Sequence, residues 1–397
     1  MNTEQTMEIK ETRHLYDENA YARNFRARVL SCREVVKKKE KLYEIVLDQT
    51  LFFPEEGGQS PDRGILAGQQ VLDVQIRKGL IYHTLQTPLT AGQVVEGCID
   101  WTHRFNNMQQ HSGEHIFSGL VHRRFGYDNV GFHLSDSVVT MDFNGPISSE
   151  ELSEIEYEAN RVISSNVDIV VSYPNEEELA RLDYRSKIEI SGQVRIVTIT
   201  GCDVCACCAP HVKKTGEIGS LKVMSMQNYK GGVRISILCG FRALDAFREK
   251  NQIVSELMAI LTTSQDQLPA QVARLRENNQ ELTRRLGKAR QDLLWQKLAA
   301  IPGEQQDLIL FEEALDAAVM RNTINQLTQK HEGLCALFTG SRELGYNFII
   351  GSRQKDCRQI AAALREKLSA RGGGSERMIQ GSVRAGEEEI RAVLLGL

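Results

Sequence analysis

The segment His111-Ser112-Gly113-Glu114-His115 carries two imidazoles four residues apart, and Cys207-Cys208-Ala209-Pro210-His211, far downstream, carries a thiol and an imidazole at the same spacing. Positions i and i+4 of a helix share a face, so His111 and His115 can converge on one ion. The second segment offers the complementary half, with Pro210 stiffening the loop between its two ligands. Tetrahedral Zn²⁺ accepts imidazole nitrogen and thiolate sulfur in any mixture up to four. Either half alone is a common chance pattern. Together they predict a zinc site of His111, His115, Cys207 and His211, and a fold that brings two distant segments together. Glu114 points away from the shared face of the histidines and is expected to be solvated or to support a ligand. Because no Glu follows His111 directly, the His-Glu-x-x-His arrangement of metalloproteases is absent and proteolysis is disfavoured.

Working outward, residues before 100 read as β. Lys41–Leu47 and Gly79–Leu85 alternate apolar with polar residues between Gly, Pro and Asp punctuation, which favours a small barrel or curled sheet. Within this region Thr50-Leu51-Phe52-Phe53-Pro54-Glu55-Glu56-Gly57-Gly58-Gln59-Ser60 is either a plain hairpin loop or a place where a ligand approaches the main chain. From Arg104 to Phe125, Phe105, Met108, Ile116 and Leu120 recur at helical spacing and carry the paired histidines along. Ser149 with Glu150 and Glu151 starts a second amphipathic helix. Val194–Ile199 reads as a strand leading directly into the cysteine cluster, and Val233–Leu238 as another.

Beyond residue 242 the period changes. Leu268, Val272, Leu275, Asn279, Leu282, Leu286, Ala289 and Leu293 step by four and three, a heptad seam that suits an antiparallel hairpin or a homodimer zipper equally. From 302 onward Leu334–Phe338 and Tyr346–Gly351 read as buried strands and Asp356–Ala370 as a helix. Gly372-Gly373-Gly374 follows as a helix stop or a backbone cradle for phosphate. It lacks the Lys-Ser/Thr ending of a nucleotide loop, so ATP chemistry is unsupported. The expected fold class is α+β and multidomain: a β-barrel domain over 1–100, an α+β zinc-binding domain over 101–241, a coiled-coil segment over 242–301 and an α/β domain over 302–397.

A chain of 397 residues with 41% hydrophobic and 25% charged residues is ordinary for a globular protein of several domains. Its net charge of −4 does not advertise nucleic acid, although a local basic patch suffices. Arg123-Arg124 and Lys213-Lys214 flank the two metal halves and are the candidates for phosphate contact; Lys37-Lys38-Lys39 and Arg284-Arg285 read as solvated faces. Nine cysteines, four of them between 202 and 208, suit metal chemistry in a reducing compartment better than a disulfide framework. The N-terminus lacks an apolar signal core and no apolar run approaches a membrane span, so a cytoplasmic location is expected.

Several stretches occur together in one order: Thr50–Gln59, Asp100-Trp101 with Arg104, the His111/His115 pair, Cys207–Val212, Thr215-Gly216-Glu217-Ile218-Gly219 and Lys230–Ile235. On these the chain resembles the alanyl-tRNA editing proteins of the AlaX family, long form, and the editing and C-terminal parts of alanyl-tRNA synthetase. The resemblance implies hydrolysis of tRNA(Ala) mischarged with serine or glycine, with His111, His115, Cys207 and His211 as zinc ligands. It also implies that Thr50 reads the serine hydroxyl, that Gly57-Gly58-Gln59 lies beside the pocket, and that His133 is a pocket residue. No aminoacylation region precedes the editing part, so action in trans is expected, and the C-terminal region resembles the DHH-associated domain. One departure stands out: the synthetase usually reads Cys-Gly-Gly-Thr-His where this chain has Cys207-Cys208-Ala209-Pro210-His211, so Cys208 competes for the role of sulfur ligand. Two other readings stay open, a zinc-structured RNA-binding or dimerisation protein and an editing domain for another amino acid, since threonyl-tRNA synthetase has a related domain.

Overall fold

A computed structural model of the chain describes residues 11–37, 40–186, 193–299 and 307–397. Lys38, Lys39 and the expected boundary at 301/302 lie outside them. The chain divides into two compact units, Met1–Val254 and Ser255–Leu397, with a helix Gly240–Leu261 running through the division.

The first unit opens with strands β1 (Asn24–Lys37), β2 (Glu40–Leu47), β3 (Gly64–Leu66), β4 (Gln69–Gln70), β5 (Asp73–Arg77), β6 (Leu80–Leu85) and β7 (Val94–Ile99). They form one sheet in the order β4-β3-β7-β1-β2-β6-β5. The sheet curls without closing into the expected barrel. Its edges β4 and β5 are joined only by Val71 and Leu72, whose N–H groups bond Gly64 and Thr84 carbonyls, and a two-residue β4 is too short to ladder across the gap. Inside the curl pack Val29, Ile45, Leu47, Leu51, Phe52, Phe53, Ile81 and Leu85.

Helix α1 (Trp101–Phe125) follows, with Asp100 capping it through the His103 N–H and Gly126 ending it in the left-handed region. The apolar stripe read from sequence understates this helix. From Met108 to Val121 every residue is buried, polar ones included, because α1 is the axis against which the rest of the unit is assembled. A four-stranded antiparallel sheet covers one side, built from β8 (Asn129–Leu134), β9 (Val139–Phe143), β13 (Leu221–Tyr229) and β14 (Gly232–Cys239) in the order β8-β9-β14-β13. Helix α2 (Ser149–Ser164) packs into the same core through Leu152, Ile155, Ala159 and Ile163. Its cap is Ser148 rather than Ser149, in a reciprocal capping box with Glu151. A three-stranded sheet of β10 (Ile169–Ser172), β11 (Ile196–Ile199) and β12 (Asp203–Ala206) completes the unit.

Two glycines of α1 serve close approach. A Cβ at Gly113 would lie 2.3 Å from Cys239 Sγ, and one at Gly119 would lie 2.8 Å from the Cys202 carbonyl. The curled sheet is tied to α1 by a fully buried ion pair. Arg104 donates to both oxygens of Asp62 and to the carbonyls of Ala20 and Leu51, while Asp62 also accepts the Phe53 N–H.

The second unit contains α4 (Leu268–Ala299), preceded in this numbering by α3 (Gly240–Leu261), then β15 (Leu308–Glu312), α5 (Ala317–Lys330), β16 (Cys335–Ser341), β17 (Gly345–Gly351), α6 (Cys357–Leu368), β18 (Arg371–Gly374), β19 (Met378–Val383) and α7 (Glu387–Leu395). The sheet order is β15-β16-β17-β19-β18, with β15 parallel to β16 and the other pairs antiparallel. Helices α6 and α7 cover one face, and α5 with the end of α4 the other. The heptad positions Val272, Leu275, Leu282, Leu286 and Leu293 are each more than half exposed in the single chain. The triple glycine is neither a helix stop nor a loop. It forms the edge strand β18, where a Cβ on Gly372 or Gly374 would collide with the carbonyl of Gln380 or Met378; Ser369, in the left-handed region, ends α6. Among the described residues no helix is long and apolar enough to cross a membrane.

Candidate metal centre

Helix α1 supplies His111 and His115, and the loop after β12 supplies Cys207 and His211. Their donor atoms all lie within 4.8 Å of one another. Cys207 Sγ is 3.5 Å from His111 Nε2 and 3.3 Å from His211 Nε2. The two halves predicted from spacing are therefore adjacent in space, and Cys207, not Cys208, brings its sulfur into the group.

Each imidazole is oriented from behind through Nδ1. His111 bonds Gln59 Oε1 at 2.8 Å, His115 bonds Asp203 Oδ2 at 2.9 Å, and His211 bonds Ser112 Oγ at 3.0 Å. Protons held at these three nitrogens leave the Nε2 lone pairs for an ion. Asp203 is in turn gripped by Arg185 through both oxygens at 2.8 Å. That pairing also disposes of a second grouping, His115, Asp203 and Cys205, whose donors are equally close. There Asp203 is already saturated by a guanidinium, and the one nitrogen His115 could offer alongside it faces the first group.

The electrostatics agree. Burial opposes charge on the Cys207 sulfur, but His111 and His211 outweigh it and hold the thiol well below its ordinary range. Burial also opposes an imidazolium at His115, yet Cys205, Asp203 and Cys207 reverse the balance and hold His115 well above its usual value. Burial takes His211 down to about 3. Cys208, by contrast, is pushed up by burial and by its neighbour Cys207. A buried thiolate that draws positive charge to itself is a setting that a metal cation satisfies, displacing the proton.

Above the group lies a cavity of about 600 Å³ lined by residues including Tyr16, Glu56, Gly57, Gly58, His111, His115, Phe132, Tyr173, Arg195 and Cys207. Gly57 and Gly58 line it, and the reason is packing. Both have positive φ, and a Cβ on Gly58 would lie 2.5 Å from the Phe132 carbonyl, since the loop is laced to β8 through Gly58 O and Leu134 N–H. Gln59 is buried behind His111, with its Nε2 unpartnered.

Other expected residues lie elsewhere. Thr50, on a short strand paired with Arg13–His14, is fully buried against the curled sheet: it accepts the Phe52 N–H and pairs with His83 Nε2 at 2.9 Å, so its hydroxyl is committed there and does not line the cavity. His133 is exposed on an adjoining groove with Glu55, Ser60 and Asp136, which shares Glu56, Gly57 and Gly58 with the cavity. Arg123 bonds Glu158 and the Gly201 carbonyl, and Arg124 bonds Glu154. Lys214 pairs with Asp168, and Lys213 lies over the Tyr21 ring. Glu114 is buried, not solvated. It accepts from Ser118 Oγ and Asn129 Nδ2 at 2.6 Å each, and its Oε2 is 4.0 Å from His115 Nε2. Sequence reasoning missed Asp203, Arg185 and Ser112, because residues that support ligands have no spacing rule of their own.

Comparison with known proteins places this geometry. The profile of tRNA synthetases class II (A) matches residues 1–103, and that of the threonyl and alanyl tRNA synthetase second additional domain matches 194–236. The alanyl-tRNA editing protein AlaX-L of Pyrococcus horikoshii is 26% identical, over 96% of this chain and 97% of its own length. Alanyl-tRNA editing protein Aarsd1 of Rattus norvegicus gives the same identity and coverage. The alanine–tRNA ligase of Ignicoccus hospitalis is 31% identical over 73% of this chain, which spans 33% of the ligase. Matched along nearly its whole length and carrying the four donors on a helix and a loop, the chain is similar from end to end to alanyl-tRNA editing proteins of the AlaX-L and Aarsd1 kind.

Proposed function

We propose that the protein is a trans-acting hydrolase that deacylates tRNA(Ala) mischarged with serine, with glycine as a second substrate. The observation that carries this is the convergence of His111, His115, Cys207 and His211 beneath an open cavity, in a chain matched end to end by editing proteins. Zn²⁺ is the ion the donor set suits. With Zn–S about 2.3 Å and Zn–N about 2.0–2.1 Å, tetrahedral geometry puts sulfur and nitrogen ~3.6 Å apart, close to the 3.3 and 3.5 Å seen here. When bound, such an ion polarises an ester carbonyl and lowers the pKa of water.

The chain's own residues do the rest. His111 and His115 hold their Nε2 atoms toward the reacting group because Gln59 and Asp203 fix their rings. The Gly57-Gly58 ridge shapes the cavity wall against Phe132. An aminoacyl ester is already activated, so positioning beside a polarising ion suffices without a covalent intermediate. For the body of the tRNA the proposal includes Lys213 and Lys214, the half-exposed Arg123, with Arg124 beside it, exchanging Glu158 and Glu154 for phosphate, and the glycine strand Gly372–Gly374. A second copy covering the exposed heptad face of α4 is the proposed dimer, and light scattering tests it. Nine free cysteines suit a reducing compartment such as the cytoplasm.

The test is serine release from Ser-tRNA(Ala), beside Ala-tRNA(Ala), by wild type and a His111→Ala/His115→Ala double variant. Fast release that vanishes in the variant, with Ala-tRNA(Ala) spared, is expected. A folded, zinc-loaded protein that releases neither serine nor glycine would instead be an RNA-binding module, and chelation would then unfold it rather than merely stop turnover.

A further inference from the structure

A guanidinium lies in the cavity wall that the chemistry above does not use. Arg195 sits immediately before β11 with its side chain 10% exposed. Its Nη1 donates to the carbonyls of Cys207 at 2.7 Å and Ala209 at 3.0 Å, and its own carbonyl accepts the Cys207 N–H at 3.1 Å. One nitrogen thus holds the loop that carries the sulfur ligand. The buried Nε makes no hydrogen bond; Asp17 Oδ1, also without one, lies 3.4 Å away. Arginine presents five donors in a rigid fork, so a guanidinium pinned through one nitrogen keeps the others in fixed directions. A charge buried this far is costly unless it is paired, and Asp17 at 3.4 Å pairs it loosely.

Tyr173 lines the same cavity and is 45% exposed. Cation and aromatic ring therefore stand together near the metal group. The substrate class implied by the proposed function has a fixed layout: the ester is on the ribose of the terminal nucleotide, and that nucleotide's 5′ phosphate is on the far side of the same ribose. With the ester carbonyl at the metal group, the nearest substrate anion is this phosphate. We propose that Arg195 binds the 5′ phosphate of the esterified terminal nucleotide, displacing Asp17, and that Tyr173 offers a stacking face to its base. The inference rests on the editing reading.

Two non-hydrolysable ligands separate this role from loop support: 3′-serylamino-3′-deoxyadenosine with and without a 5′ phosphate, measured by calorimetry on the zinc-loaded full chain. The phosphorylated form is expected to bind wild type about tenfold tighter or more, as for a charge-assisted hydrogen bond. Arg195→Gln is expected to abolish that preference while zinc stoichiometry holds, and Arg195→Lys to retain part of it. On Ser-tRNA(Ala), the slope of log KM against log salt should fall by about 0.7 in Arg195→Gln. Equal binding of the two ligands by wild type overturns the proposal. So does a preference that survives in a folded Arg195→Gln. Should Arg195→Gln fail to fold, Arg195→Lys and the wild-type preference decide. Binding with phosphate preference but no turnover of any mischarged tRNA would leave this inference standing and remove the editing function instead.

Discussion

Replacing Asp203 by Asn probes the support behind the metal group most directly. The carboxylate accepts from His115 Nδ1 at 2.9 Å and is held by Arg185 through two bonds of 2.8 Å, with Asp203 almost wholly buried and the Arg185 side chain 13% exposed. Burial alone would raise the Asp203 carboxyl, but His115 and Arg185 outweigh it and hold it below the ordinary range. Asn keeps the shape and one acceptor and removes the charge. Loss of such a partner behind a ligating His typically costs 10–100-fold in metal affinity, which is about 1.4–2.7 kcal/mol. The variant also leaves Arg185 without its anion, a separate cost to folding of about 1–3 kcal/mol. Zinc affinity by competition with a chromogenic chelator measures the first effect, and thermal unfolding of the metal-free protein the second. An Arg185→Gln/Asp203→Asn double variant should recover stability without recovering affinity. Zinc affinity within twofold of wild type in a variant that shows the stability loss would refute the idea that Asp203 acts through His115.

Three further outcomes follow from the geometry. Thr50→Val should lower stability by about 1–3 kcal/mol, since it leaves the Phe52 N–H and His83 Nε2 unpaired in the sheet interior, with serine-over-alanine selectivity unchanged; lost selectivity at undiminished stability would return Thr50 to the pocket. Arg104→Met strands the fully buried Asp62 carboxylate and should cost about 3–5 kcal/mol by denaturant unfolding, against the small effect expected of Arg26→Met, whose partner Glu96 is as exposed as itself. Burial takes His83 down to about 4 from an ordinary 6.5. The unfolded chain therefore binds the extra proton between those values, and stability should fall by about 3 kcal/mol as pH drops through that window and level off below it. A His83→Gln variant that retains the full decline would assign it elsewhere.

The candidate donor group was legible in the sequence because a helix imposes its own spacing: two imidazoles four residues apart must share a face, whatever surrounds them. Two strands of the curled sheet, Lys41–Leu47 and Gly79–Leu85, helix α2 and the C-terminal strands at Leu334–Phe338 and Tyr346–Gly351 were legible for the same reason, since periods of two and 3.6 record which face is buried. Chain-order information ends where through-space contact begins. Asp203, Arg185, Ser112 and Arg195 matter through partners that tertiary packing brings to them, and no short-range pattern marks them. Thr50 and His133 show the converse. The family resemblance put both in the pocket, yet the Thr50 hydroxyl is committed inside the curl and His133 stands on a groove across the Gly57-Gly58 ridge from the cavity. For Glu114 the sequence left two places open, in water or behind a ligand; α1 is enclosed on every side from Asn107 to Val121, which removes the first. The triple glycine was ambiguous because glycine permits several backbones; only the approach of Gln380 and Met378 made it an edge strand. Local periodicity thus determined the elements and the four converging donors, and tertiary packing decided which buried charge supports which donor, because electrostatic partnership depends on distance in space and not on separation along the chain.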